Sequence, residues 1–257
     1  MAAGALLRVR NVGVRFGGIV ALEDVSFDVG AGSIVGLIGP NGAGKTTLFN
    51  CLSRLYECGS GDIEFDGRSL RGVPVHRIAA LGIGRTFQNL ALFRTMSVLD
   101  NVRVGRHCRT GSGFLFNALR LPGVSREEAD SLARAHALLR LLDLDDVAER
   151  RVSDLPFGTQ KRVELARALA SEPRLLLLDE PASGLNHEEV AGLGALIRRI
   201  RDELSLTVLL VEHHMGLVMS LSEHVVALNF GRKLAEGTPA EIQRHPELIQ
   251  AYLGAAA

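Results

Sequence analysis

Tryptophan is absent from the 257 residues, tyrosine occurs twice, and aromatics make up 5% of the chain. A core of that composition must be built from aliphatic side chains. Net charge is missing too, because 29 basic side chains stand against 29 acidic ones. Without a basic excess the chain does not read as a dedicated nucleic-acid binder, and long-range attraction to an anionic lipid surface is removed as a means of recruitment. Long apolar runs are lacking: stretches such as Leu175 to Leu178 and Val208 to Val211 are far too short to cross a bilayer. The first residues show no charged leader ahead of a long apolar stretch, so no signal peptide is expected. The three cysteines, Cys51, Cys58 and Cys108, are an odd number without metal-ligand spacing, which reads as reduced thiols in a cytosolic protein. What remains, 47% hydrophobic and 23% charged residues, is the composition of a folded globular chain long enough for one large domain or two small ones.

Residues 6 to 16 place Leu7 and Val9, then Val12, Val14 and Phe16, at alternating positions with one break of phase, which predicts a strand carrying a bulge. Val25 to Val29 predicts a second strand, and the unbroken apolar run 33 to 38 one buried on both faces. A Gly-rich turn leads into a helical pattern from Lys45 to about Leu55. Residues 61 to 67 and Ile83 to Phe87 read as further strands. From about Leu90 to Leu165 strand-like runs stop and helical spacing takes over. There Ser125 and Glu128 have the form of a capping box, opening a helix with Ala129, Leu132, Ala135, Leu139 and Leu142 on one face. Gly105 to Gly123 reads as an irregular insertion. Alternation then returns: a helix from about Lys161 to Ala170, a strand Leu175 to Asp179, a helix from about His187 to Glu203, a strand Thr207 to Glu212, a short helix, Val225 to Leu228 and a hairpin at Gly231-Arg232. Strands alternating with helices predict a mostly parallel sheet covered on both faces, with the helical middle inserted between its halves.

The strongest motif is Gly39-Pro-Asn41-Gly42-Ala43-Gly44-Lys45-Thr46, followed by Thr47. It fits the pattern G-x-x-x-x-G-K-[ST] between a buried strand and a helix, the context such a phosphate cradle needs. Glycines let successive N–H groups curl inward onto phosphate oxygens, and the helix adds the positive end of its dipole. Lys45 would bridge the β- and γ-phosphates, Thr46 would ligate Mg²⁺, and Thr47 would reach the α-phosphate. About 135 residues on, an apolar strand ends in Asp179-Glu180. Asp179 there would hold the metal through water and Glu180 would polarise an attacking water.

On these motifs the chain resembles, along essentially its whole length, the ATP-binding subunit of ABC transporters. The resemblance implies an α/β fold: a P-loop core (1–88 and 168–257) with an N-terminal antiparallel β part, and a helical subdomain inserted at 89–167. It implies that Gln88, in Arg85-Thr-Phe-Gln88, is a further Mg²⁺ ligand that follows the movement of the helical subdomain. It also implies that Phe16 stacks on adenine beside Val20, although Phe16 equally suits a core position. Ser183, Gly184, Leu185 and Asn186 match a loop that crosses to a partner subunit, with Asn186 where the family often has Asp. His213 is taken as the histidine that holds Glu180 and water in line, with His214 the alternative. The family signature, which faces the γ-phosphate bound by the other subunit, aligns with Leu155, Pro156, Phe157, Gly158 and Thr159, followed by Gln160. Pro156 brings neither hydroxyl nor N–H, so weaker contacts in trans are expected.

Within the family, the Arg85-to-Arg94 segment, the insertion, the Glu212-His213 pair and the C-terminal pattern from Gly237 to Gly254 are similar to the branched-chain amino acid importers. That similarity implies ATP and Mg²⁺ as cofactors, and a second ATP-binding subunit, transmembrane permease subunits and, indirectly, a solute-binding protein as partners. It implies a peripheral position on the cytoplasmic face of the membrane and no nucleic acid. Leu90, Leu92, Phe93 and Met96 are candidates for receiving a permease helix, and equally for the core of the helical lobe. The nearest rivals are the ATPase of a lipid or other exporter and a soluble ABC-type ATPase. The latter needs a coiled-coil arm, a tandem second ATPase or a basic surface, none of which the sequence carries.

Overall fold

The computed structural model describes residues 4–109 and 122–253. Its ten strands among the described residues are β1 Ala5–Phe16, β2 Ile19–Gly30, β3 Ile34–Ile38, β4 Ser60–Phe65, β5 Arg68–Ser69, β6 Ile83–Arg85, β7 Leu175–Asp179, β8 Thr207–Val211, β9 His224–Asn229 and β10 Arg232–Gly237. Their helices are α1 Lys45–Leu52, α2 Ile78–Leu81, α3 Val98–Gly105, α4 Pro122–Leu141, α5 Phe157–Leu169, α6 His187–Leu204, α7 Met215–Leu221, α8 Pro239–Gln243 and α9 Pro246–Leu253.

The strands form two sheets. One is antiparallel, in the order β2-β1-β4-β5; the other runs β10-β9-β3-β8-β7-β6 and is parallel except for its β9–β10 edge. The break of phase in β1 is a register shift between Val9 and Val12, where Asn11 takes φ 48° and the strand bends. All five residues of β3, β7 and β8 are buried, and their side chains divide by period two. Val35, Leu37, Leu175, Leu177, Leu209 and Val211 pack with α1 and the antiparallel sheet. Ile34, Leu176, Leu178, Val208 and Leu210 pack on the opposite face with residues of α3 to α6. Apolar side chains of the helical segment thus share one continuous cluster with the parallel sheet. α1 lies between the two sheets with Leu48, Phe49 and Leu52 fully buried, each contributing about 1.5–3 kcal/mol by removal from water.

Four local expectations shift. The helix expected to open at Ser125 starts at Pro122, so Ser125 is an interior position and not a cap. On that helix Ala135, Leu139 and Leu142 are buried as expected, but Ala129 and Leu132 are exposed and Ser131 takes the inward position. Ser131 to Ala135 to Leu139 to Leu142 keeps the four- and three-residue spacing, so the buried stripe passes through Ser131 and not through Ala129 and Leu132. The helix expected from Lys161 begins four residues earlier, at Phe157, because a proline just ahead of a helix costs it no hydrogen bond. Of the predicted insertion, Gly105 ends α3, 107–109 form a single tight turn and Pro122 begins α4; residues 110–121 lie outside the described residues. Among the described residues no helix is long and apolar enough to cross a membrane.

Candidate active site

The loop from Gly39 to Gly44 joins the end of β3 to the start of α1. Gly39, Gly42 and Gly44 take φ values of 153°, 80° and 101°, which side chains rarely adopt. Two of them are also hemmed in. A Cβ on Gly39 would run into the Leu228 carbonyl oxygen, and one on Gly44 would sit 2.7 Å from a Leu22 methyl and 2.8 Å from the Ala21 oxygen. β2 and β9 therefore wall the loop into one curl. The Ala43 N–H closes the curl on the Pro40 oxygen at 3.1 Å, while Asn41 and Gly42 stay exposed. α1 has no side-chain cap at Gly44, so its first N–H groups are left for a ligand. Lys45 is only 7% exposed and donates to the oxygens of Gly39 at 2.7 Å and Pro40 at 3.0 Å. Burial lowers its pKa, and the charges of Glu180 and Asp179 partly oppose that shift. Thr46 is exposed and Thr47 half-buried at the same helix start.

At the end of β7 two carboxylates have separate duties. Asp179 is buried, and its Oδ2 accepts from Arg85 at 2.9 Å. The other end of that guanidinium reaches Asn50 Oδ1 and Ser53 Oγ, both at 2.9 Å, so Arg85 ties α1 to β7. Glu180 takes φ 46° and turns out of the strand. Gln88 Nε2 donates to Glu180 Oε2 at 2.9 Å, and His213 Nδ1 lies 3.9 Å from the same oxygen. His214 points elsewhere: its Nδ1 accepts from Leu217 N–H at 3.3 Å and caps α7. The structure therefore brings His213, and not His214, to Glu180. Between them Glu212, with 0% exposure, accepts from the N–H groups of Ala182, His213 and His214. One buried carboxylate thus clamps the chain after Glu180 to the chain carrying His213. The hydroxyl of Thr46, the amide oxygen of Gln88 and the carboxylate of Asp179 are all hard oxygen donors, the set Mg²⁺ takes.

Phe16 is 45% exposed with its ring edge-on to Tyr56 at 5.1 Å, and Val20 is exposed beside it in the chain. Phe16 is therefore no core side chain. The segment Leu155 to Thr159 opens α5 with Pro156 as its cap residue, which makes no side-chain cap bond. Its contacts are with the turn Ser183–Asn186 and with α6. The Phe157 ring fills the space where Gly184 has no side chain, since a Cβ there would sit 2.8 Å from the ring. Gly158 leaves room for Glu189 and Leu185, and Gln160 Nε2 donates to Leu155 O at 2.8 Å. Asn186 caps α6: its Oδ1 accepts from Glu189 N–H at 3.0 Å, and Glu189 returns to the Asn186 N–H at 2.9 Å. Of the four apolar residues after Gln88, Phe93 is exposed, Leu92 packs against the core, and Leu90 and Met96 are half-buried.

The structure thus assembles Lys45, Asp179, Glu180, Gln88 and His213 in one place, and the Leu155–Thr159 and Ser183–Asn186 segments in a second. Sequence reasoning assigns no role to Arg85, Glu212 or Glu164. Glu164 is buried on α5 and accepts from Phe87 N–H at 3.2 Å, next to Gln88 in the chain; burial raises its pKa. A signal existed for Glu164 and Glu212, which are charged residues at positions the periodicity sends inward, but not for Arg85.

A family model described as ABC transporter matches residues 22–183, and one described as branched-chain amino acid ATP-binding cassette transporter matches 232–257. The chain is 44% identical over 251 residues, 98% of either chain, to the high-affinity branched-chain amino acid transport ATP-binding protein BraF of Pseudomonas aeruginosa. It is 42% identical, again over 98% of either chain, to LivG of Escherichia coli K12, which carries the same description. Among solved structures, an ABC-transporter ATP-binding cassette in its ADP conformation superposes with TM-score 0.86 at 27% identity, covering 98% of this chain and 100% of that one.

Proposed function

The chain belongs to the ABC transporter ATP-binding family, and on that premise we propose that it is the ATP-hydrolysing subunit powering an importer of branched-chain amino acids or a related small polar solute. The observation that carries the reading is the convergence of Gln88 and His213 on one oxygen of Glu180, directly after the strand that presents Asp179. Such a cluster positions and polarises a water, and little more is required, since phosphoryl transfer is driven by positioning and electrostatics. In this proposal the curl 39–44 and the start of α1 bind the phosphates, and Lys45 leaves its two carbonyl partners for the β- and γ-phosphates. Phe16, with Val20, offers its exposed ring to adenine. Thr46, Gln88 and Asp179 would hold Mg²⁺, with Arg85 orienting the Asp179 carboxylate. When bound, that ion supplies positive charge against the phosphates.

A hydrolytic site of this type is completed in trans. The Leu155–Thr159 segment of one subunit would meet the γ-phosphate held by another, with Gly158 N–H, the α5 dipole and the Thr159 hydroxyl as its donors and Pro156 contributing none. Ser183–Asn186, packed under that segment, would cross to the partner. The assembly then holds two ATP-binding subunits against transmembrane permease subunits on the cytoplasmic face, fed by a solute-binding protein. Exposed Phe93 is the best placed of the post-Gln88 residues to meet a permease.

The exporter alternative is less well supported, because the relatives that match over nearly the whole of both chains carry names of branched-chain amino acid transport and not of lipid export. Co-expression with candidate permease subunits tests the reading. In reconstituted vesicles, ATP turnover is expected to rise when a loaded branched-chain amino acid binding protein is supplied on the opposite side. Turnover indifferent to every such binding protein, together with export of a lipid, would overturn it.

A further inference from the structure

Two of the three cysteines lie together, away from the site described above. Cys51, on the last turn of α1, is fully buried, and Cys58, in the connection from α1 to β4, is half-buried. Both line a cavity of about 140 Å³ whose wall also carries Arg54, Glu57, Asp62 and Arg71. The two guanidiniums are fixed there: Arg54 by Val73 O at 3.2 Å and Glu57 at 3.2 Å, Arg71 by Gly61 O at 2.7 Å. The two thiols interact, with Cys51 as donor, and shift each other's acidity in opposite directions. Among the described residues no group of three or more His, Cys, Asp or Glu side chains is placed to hold a metal ion.

We propose that Cys58 and Cys51 form an oxidisable dithiol that reacts with a hydroperoxide and closes to a disulfide beneath the phosphate-loop helix. The Cys58 thiolate attacks a peroxide oxygen: an S–O bond forms, the O–O bond breaks, and the departing alkoxide or hydroxide takes up the proton that Cys58 released. Cys51 sulfur then attacks Cys58 sulfur. The S–S bond forms, the S–O bond breaks, and hydroxide leaves as water with the Cys51 proton. The dithiol loses two electrons, and the hydroperoxide is reduced to an alcohol, or to water, plus one water. The division of labour follows from the surroundings. The hydrogen bond from Cys51, with Arg54 and Arg71 behind it, holds the Cys58 thiol below the ordinary thiol range against its burial and Asp62. The same hydrogen bond and its own burial push Cys51 well above that range, leaving it to resolve and not to attack.

The bridge has a route to the site. Cys51 sits between Asn50 and Ser53, whose side chains hold Arg85, and Arg85 holds Asp179. Closing the disulfide fixes that turn and alters ATP turnover. This consequence rests on the proposed function, whereas the bridge itself does not.

The test treats the reduced full-length protein with hydrogen peroxide and reads it by intact and peptide mass spectrometry. The expected product has lost about 2 Da and contains a Cys51–Cys58 linked peptide. Iodoacetamide at neutral pH should label Cys58 about tenfold faster than Cys108, which is half-buried and lies in a separate part of the chain. Cys58→Ser should lose the linkage, and Cys51→Ala should stop at a sulfenic acid trapped by a dione. Should the buried Cys51 variant fail to fold, Cys58→Ser and the labelling rates decide alone. Equal labelling of Cys58 and Cys108, peroxide products confined to sulfinic acid, or linkage only between chains through Cys108 would overturn the site. A bridged protein that hydrolyses ATP at the reduced rate would overturn its coupling to turnover.

Discussion

Lys45 and Arg85 are both buried cations, yet they face removal differently. Lys45 gives its ammonium to two loop carbonyls, partners that the proposed function has it exchange for phosphate, and its burial penalises the charge. Lys45→Met is therefore expected to weaken ATP binding about tenfold or more, while leaving the melting temperature of the nucleotide-free protein unchanged or higher. Calorimetric titration and a thermal melt check the two halves. Arg85 has no such alternative state. It neutralises Asp179, and both side chains are more than nine-tenths buried. Arg85→Ala leaves a carboxylate unpaired in the interior and should cost about 3–5 kcal/mol of stability, read as a fall in the urea midpoint. The sequence makes Lys45 legible, because the cradle motif singles it out for the phosphates. It leaves Arg85 silent, because a cation that acts by bridging two elements distant in the chain has no local pattern.

At the scale of elements, strands buried on both faces announce themselves as unbroken apolar runs, and β3, β7 and β8 stand where those runs are. Helix starts are harder to read. α5 begins at Phe157 behind a proline that supplies φ near −60° and no cap bond, whereas α6 has the reciprocal bonds of Asn186 and Glu189. Sequence spacing alone ranks the Ser125 hydroxyl as a better start than Pro122, so α4 is read three residues late, and α5, with no cap bond to announce it at Pro156, is read four residues late. The same feature yields a prediction. Pro156→Ser would let a hydroxyl accept from the free N–H groups of the first turn, worth about 1 kcal/mol, or about 2–4 °C in melting temperature for a chain of this size. It would also offer that hydroxyl in trans and strengthen ATP-driven association. A variant with unchanged melting, ATP affinity and turnover would show that the missing hydroxyl is immaterial.

For the whole molecule, the architecture was legible because the alternation of runs and the spacing of the motifs follow from a parallel sheet with helices on both faces. What no pattern could supply is the convergence in space. Glu212, at the end of β8, holds both the chain after Glu180 and the chain of His213, and contacts of that kind exist only once β7 and β8 are adjacent. Neutrality acquires a meaning at this scale as well. In the proposed function, one lysine, a curl of N–H groups and a helix dipole would accept a polyanion without any excess of basic residues. The central claim is that Glu180, aligned by Gln88 and His213, activates the water that cleaves ATP. The measurement that tests it is the ATP turnover of Glu180→Gln, with its size by chromatography in ATP and in ADP. The expected result is a turnover at least about a hundredfold lower, with a dimer that persists in ATP and separates in ADP. Turnover equal to that of the parent would contradict the account.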